Sequence, residues 1–226
     1  MIEDEVQAAP PLQSGRPYGW IIIVGSLLTL AGMLRHPAPP GSGVMETVRW
    51  IVEVGAFNQW VHGFLIAVIL VLIAGFHGFS GRLTRSPVLG QVATILYAAG
   101  GFAGICAAIA AGFAMRSIAV GYLNATPDQE ALVSGLLRVL GAFNFAWGRV
   151  WIVATSAAIL LWSIALLRQS KVARMPGFFG LLAGGVPAVG IVSGLLPLNV
   201  PGTIGAIAAH VLWSLWVGYL LVRSRL

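Results

Sequence analysis

The chain has 226 residues, of which 58% are hydrophobic and 9% are charged, and its mean hydropathy is +0.90. Charged residues make up about a quarter of a typical soluble domain, so this composition excludes a soluble globular protein and indicates a polytopic membrane protein. The net charge of +6 does not indicate nucleic-acid binding, because the Lys and Arg residues stand singly or in pairs between apolar segments.

Residues 1–17 are acidic and contain prolines, and they lack the basic start of a removable signal peptide. We expect a short disordered tail there, followed by one transmembrane domain over 18–226. A helix needs about 20 mostly apolar residues to cross the hydrocarbon layer of a bilayer. Six segments qualify, which predicts an all-α bundle of six transmembrane helices: 18–34, 58–79, 88–114, 149–168, 176–197 and 203–222.

The distribution of positive charge predicts the orientation. With a cytoplasmic N-terminus, eight of the 13 Lys and Arg residues lie on the inner side, and five lie outside. The inner residues stand in short loops beside the spans, where positive charge is retained in the cytoplasm most strongly. We therefore expect both termini to be cytoplasmic and the protein to lie in a bacterial inner membrane. The inner group is Arg16, Arg82, Arg85, Arg168, Lys171, Arg174, Arg223 and Arg225.

Two segments on the outer side, at about 44–54 and 127–147, are predicted to form amphipathic helices in the membrane interface. The second opens with Thr126 as N-cap, Pro127 at the first helical position and Gln129 two residues later, which is a capping-box start. It is either separate from the fourth span or continuous with it. A seventh span is the alternative, but Gly148 and Arg149 alone would separate it from the next one, too few residues for a reversal.

Small residues are expected to hold the spans together, because helices in lipid gain little from hydrophobic contact with one another. The third span contains Gly100 and Gly104 at GxxxG spacing. The fifth contains Gly180 with Gly184, then Gly190 with Gly194, around Pro187. This proline predicts a kink near the middle of the span.

Histidines are the ionisable residues that remain inside the predicted spans, since none of the six contains Asp or Glu. Counting from the outer ends of spans two and six places His62 and His210 at similar depths, roughly 7 to 11 Å into the layer. His36 stands at the outer mouth of the first span and is a candidate third ligand. His77 has no second histidine at its level.

Two imidazoles from facing helices are typical ligands of a haem iron, so His62 and His210 predict a haem b site near the outer leaflet. Copper is the alternative, with His36 as a third ligand. The backbone carbonyl of Asn58, or Ser214, is expected to orient the imidazoles. Arginines that border the same region would pair with propionates, and tryptophans that gather towards this side would form the walls: Arg35, Arg116, Arg149, Trp60, Trp147, Trp151 and Trp213.

Three functions are consistent with these features. The first is a redox protein that carries electrons to or from a quinone or a periplasmic partner. The second is a carrier or receptor for a small apolar or anionic molecule, and the third is a subunit of a homo-oligomer or of a larger membrane complex. A serine hydrolase built from Ser193 and His210 lacks the G-x-S-x-G elbow. The single cysteine, Cys106, excludes a disulfide within the chain.

Overall fold

The computed structural model describes residues 15–35, 43–197 and 200–226, and these residues form helices joined by short turns, without a strand. Six helices in this part of the chain are long and apolar enough to cross a membrane. The prediction of six helices with the length and composition of transmembrane helices is therefore confirmed. The helices are α1 (Arg16–Leu34), α2 (Val44–Ser80), α3 (Pro87–Gly121), α4 (Pro127–Leu167), α5 (Lys171–Val192) and α6 (Val200–Val222).

The helices form a ring in chain order, which the packing of α1 against α6 closes. Glycines on both helices allow this contact: a Cβ at Gly19 would lie 2.6 Å from the Gly218 carbonyl oxygen. The start of α1 and the end of α6 consequently lie at the same end of the bundle, which we call the termini end. The other end is the opposite end, which the sequence predicts to face the outside.

Three helices are much longer than the other three. The helices α2, α3 and α4 contain 37, 35 and 41 residues, whereas α1, α5 and α6 contain 19, 22 and 23. At 1.5 Å per residue the long helices measure about 52 to 62 Å, well beyond the 30 Å hydrocarbon layer. Their extra length lies at the opposite end, where the long helices extend past the short ones.

The two segments predicted as amphipathic helices supply part of this extra length. Residues 44–54 form the start of α2 and residues 127–147 form the first half of α4, each without a break before the predicted span. The chain between segment and span contains no proline in either case, so nothing interrupts the backbone hydrogen bonds. The predicted capping box is present, with Gln129 Oε1 accepting a hydrogen bond from the Thr126 N–H at 3.0 Å.

A π-helical turn interrupts α3 at Ala110–Ala114. Such turns insert one residue and leave a backbone group without its usual α-helical partner. The side chain of Asn58 on α2 compensates, because its Nδ2 donates to the Ala111 carbonyl oxygen over 3.2 Å. The turn thus links α3 to α2 at the level of His62.

Large aromatic rings fill the bundle towards the termini end. We call Phe76, Phe79, Tyr97, Trp162 and Trp213 the aromatic cluster; all except Tyr97 are at most 1% exposed. The Phe76 ring stacks on Trp162 with centroids 4.8 Å apart. Trp162 Nε1 donates to Ser80 Oγ over 2.7 Å, and Trp213 Nε1 donates to the Pro176 carbonyl over 3.2 Å. Every indole N–H in the cluster is therefore satisfied.

Glycines bring α3 and α5 close to α4, as the GxxxG spacing predicts. A Cβ at Gly100 would lie 3.1 Å from the Trp151 carbonyl oxygen, and one at Gly184 would lie 2.6 Å from that of Ser156. The predicted pairing of Gly190 with Gly194 is wrong. Gly194 has φ +77° and follows the end of α5, so it terminates the helix in the left-handed conformation that favours glycine.

Candidate functional site

A cavity of about 190 Å³ lies where five of the six helices converge near the opposite end. We call it the His62 cavity. Its position follows from the unequal helix lengths, because the last turn of α1, with Met33, and the first turn of α6, with Thr203, lie at its edge. The lining residues are Met33, His62, Leu65, Ile69, Gly104, Ala107, Ala108, Ala111, Asn144, Phe145, Gly148, Trp151 and Thr203.

The walls of the His62 cavity are mostly apolar and partly flat. Glycine and alanine residues of α3 form one side, and Trp151 and Phe145 of α4 form another. The polar lining side chains are His62, Asn144 and Thr203. An apolar pocket with a few polar groups, such as this half-open one, is the usual composition of a small-molecule site.

His62 is held in one orientation. It is 4% exposed, and its Nδ1 donates to the Asn58 carbonyl oxygen over 2.8 Å. In a neutral ring this bond places the lone pair on Nε2. Asn58 therefore supplies the orienting carbonyl that the sequence predicts, and α3 approaches the ring closely because Gly112 has no side chain to obstruct it.

His210 lines a second, smaller cavity of about 50 Å³, which we call the His210 cavity. His210 Nε2 lies 3.0 Å from Ser156 Oγ on α4. Ser214 Oγ donates to the His210 backbone carbonyl over 2.8 Å and so does not orient the ring. Ser193, the serine considered from sequence as a partner of His210, instead donates to the Val189 carbonyl oxygen over 2.7 Å.

The structure does not bring His62 and His210 to one site. Leu72 lines the same cavity as His210 and lies ten residues beyond His62 on α2, which is about 15 Å along the helix axis. The prediction of equal depth counted residues from residue 58, taken as the outer end of span two. Because α2 begins at Val44, the position of His62 relative to residue 58 does not give its depth in the bundle.

The remaining histidines do not complete a metal site within the residues that the structure describes. His36 lies outside the residues that the structure describes. His77 is exposed near the termini end of α2. Within residues 15–35, 43–197 and 200–226, no group of three or more His, Cys, Asp or Glu side chains is placed to hold a metal ion.

The predicted arginines have separate surroundings. Arg35 is exposed at the end of α1. Arg116 Nη1 donates to Gln59 Oε1 over 2.7 Å, and its side chain packs over Gly55. Arg149 Nη2 donates to the Ile191 carbonyl over 3.1 Å, and its guanidinium lies 5.8 Å from the centroid of the Phe145 ring at the edge of the His62 cavity.

Trp213, predicted as part of the same wall, belongs to the aromatic cluster towards the other end of the bundle. Of the other predicted wall tryptophans, Trp151 lines the His62 cavity, together with Asn144 and Thr203, which the sequence does not single out. The spacing of Asn144, Gly148 and Trp151 places them on one face of α4, which was a readable signal. Which neighbours that face meets depends on the packing of the other helices.

Comparisons with protein-family models, curated protein sequences and solved structures find no match to this chain. The two cavities are therefore the features of the molecule that bear on its function.

Proposed function

We propose that the protein is a carrier or receptor that binds a small, largely apolar molecule in the His62 cavity. The observation that supports this proposal is a cavity of about 190 Å³ at the convergence of five helices in a membrane-type bundle. Closely packed interiors contain few voids larger than a water molecule. An opening of this size, lined by aromatic and small side chains, is typical of a binding site.

The size of the cavity sets the size of the ligand. Sites for drug-sized molecules measure about 300 to 1,000 Å³, whereas an engineered apolar cavity of about 150 Å³ binds benzene. The ligand of this protein is accordingly about one substituted ring in size. The side chains of Asn144 and Thr203 make no hydrogen bond within the described part of the chain, so they provide polar partners for one hydroxyl or carbonyl group.

An apolar ligand is favoured over an anionic one. Among the residues that the structure describes, the lining contains no Arg or Lys, and the guanidinium of Arg149 lies over the Phe145 ring beside the cavity. Burying an anion without a paired charge is costly, whereas apolar surface gains from leaving water.

The test uses p-cresol as a probe and the protein in lipid nanodiscs. Gly148 lines the cavity, and a Cβ at this position meets no described atom within 4 Å, so Gly148→Leu should begin in open space and extend its side chain into the cavity. Gly135→Leu is the matched control, because Gly135 lies on the same helix, has equally open surroundings and does not line the cavity.

We expect the unmodified protein and Gly135→Leu to bind p-cresol saturably in equilibrium dialysis, with a stoichiometry near one. Gly148→Leu should lower the affinity at least tenfold. Equal binding to both variants would contradict the proposal, since it would show that the probe partitions into lipid or binds elsewhere.

The redox function predicted from sequence stays a prediction. A haem ligated by both His62 and His210 is not supported by their placement in separate cavities. The visible spectrum of the purified protein tests it directly: a Soret band that shifts on reduction and disappears in both His62→Ala and His210→Ala would establish the haem. The proposed quinone partner, the periplasmic partner and the larger assembly likewise stay predictions.

A further inference from the structure

We infer that the His210 cavity is a hydrated site, which binds one or two water molecules and is reached from the His62 cavity past Trp151. The hydrogen bonds of the lining hydroxyls are the first observation that supports this inference. Three lining hydroxyls donate to backbone carbonyls of their own helices: Thr29 to Gly25, Thr155 to Trp151 and Ser214 to His210. The oxygens of these three hydroxyls can still accept a hydrogen bond from a molecule inside the cavity.

Two further hydroxyls in the lining lack any such bond. Ser26 is 3% exposed, and its Oγ makes no hydrogen bond within the described part of the chain. The Tyr97 hydroxyl likewise has no partner there, and His210 uses Nε2 but not Nδ1. A polar group left unsatisfied inside a membrane protein is costly, so a ligand able to donate and accept hydrogen bonds would be stabilised here.

The size of the cavity fits water as that ligand. A cavity of about 50 Å³ exceeds the roughly 10 to 15 Å³ that one water needs, and one water occupies about 30 Å³ in the liquid. One or two waters fit, and a larger polar solute does not. Donors and acceptors from α1, α3, α4 and α6 provide the two to four partners that a buried water usually has.

Trp151 is the partition between the two cavities, because it lines both of them. On the other side, Tyr97 packs on Phe76 and Trp162 with ring centroids 4.6 and 5.5 Å apart, so the aromatic cluster closes the His210 cavity towards the termini end. Water therefore enters from the opposite end of the bundle, and movement of the Trp151 side chain limits its entry.

The experiment measures thiol reactivity after Cys106→Ser removes the single native cysteine. Ser26→Cys places a thiol in the His210 cavity, and Ser163→Cys is the control, since Ser163 is fully buried and does not line either cavity. Because thiolate is the reacting species and needs solvation, methyl methanethiosulfonate should modify Ser26→Cys at least tenfold faster than Ser163→Cys.

Trp151→Ala should raise the rate at Ser26→Cys a further tenfold, while Trp60→Ala, at an 80% exposed tryptophan, should not change it. Equal slow rates at both cysteines in either background would overturn the hydrated site. A fast rate that does not respond to Trp151→Ala would overturn the route past Trp151.

A measurement on the unmodified protein covers the case in which a variant does not fold. Radiolytic hydroxyl radicals form at bound water, so Tyr97 should be labelled, whereas Phe79 in the aromatic cluster should not. Labelling of neither residue would contradict the bound water. Failure of p-cresol to bind the His62 cavity would not affect either measurement, because the water site rests on different residues.

Discussion

The bundle is filled differently in its two halves. Around the aromatic cluster, large rings occupy the space that glycines leave: a Cβ at Gly180 would overlap both Ser163 Oγ and Trp213 Nε1. Around the His62 cavity, glycines and alanines of α3 face Gly148 of α4, where a Cβ meets no atom within 4 Å. The same residue types therefore produce tight packing in one half and open space in the other, depending on what lies opposite them.

The largest effect is expected from Trp162→Ala in the aromatic cluster. The substitution removes a fully buried indole together with its hydrogen bond to Ser80, and such truncations cost about 3 to 5 kcal/mol. We expect the melting temperature in detergent to fall by roughly 6 to 20 °C. Trp60→Ala, at an exposed site, is the control and should change it little. A similar loss from both variants would show that the cluster is not specially stabilising.

Alanine substitutions at Gly180 and Gly148 compare the two halves directly. Gly180→Ala forces a methyl group against Ser163 and Trp213, and overpacking of this kind costs about 1 to 3 kcal/mol. Gly148→Ala places the same methyl group in open space, so its free energy of unfolding should stay unchanged or rise slightly. Chemical denaturation of both variants measures the difference. Equal destabilisation would mean that the His62 cavity closes in the folded protein.

A smaller effect is expected from Asn58→Ala. The substitution leaves the Ala111 carbonyl of the π-helical turn without the side-chain donor from α2. A single lost hydrogen bond of this type costs about 1 kcal/mol. We expect a slightly lower melting temperature and faster amide exchange over residues 110–114, with exchange in α5 unchanged. Unaltered exchange in the turn would show that Asn58 does not stabilise it.

Much of the fold could be predicted from the sequence, because hydropathy and length are local properties of each segment. The six spans follow from hydropathy and length, and the capping box at Thr126 and the glycine contacts of α3 and α5 with α4 follow from local residue motifs. The helices α2 and α4 begin before the predicted span starts at residues 58 and 149. No helix-breaking residue precedes either span start, but the amphipathic pattern favoured a separate helix at 44–54 and left 127–147 either separate from the span or continuous with it.

The site was less predictable, since it depends on how helices rotate and tilt against each other. Counting residues from a predicted span end gave His62 and His210 the same depth, whereas the packing places them in different cavities. His62 and its orienting carbonyl at Asn58 could be identified because both lie on one helix, four residues apart. Trp151 is one of the four tryptophans that the sequence predicts as walls of the site, but its position between two cavities depends on the helix packing.

The extension of α3 and α4 beyond the shorter helices has a practical value for imaging. These helices are joined by a short turn at residues 122–126, beyond the ends of α1, α5 and α6. A small rigid domain inserted there, with its own terminal helices fused in register, would inherit the orientation of the bundle. At 23.7 kDa the protein alone is a poor particle for electron cryo-microscopy, and such a fusion would supply the fiducial mass needed to align it.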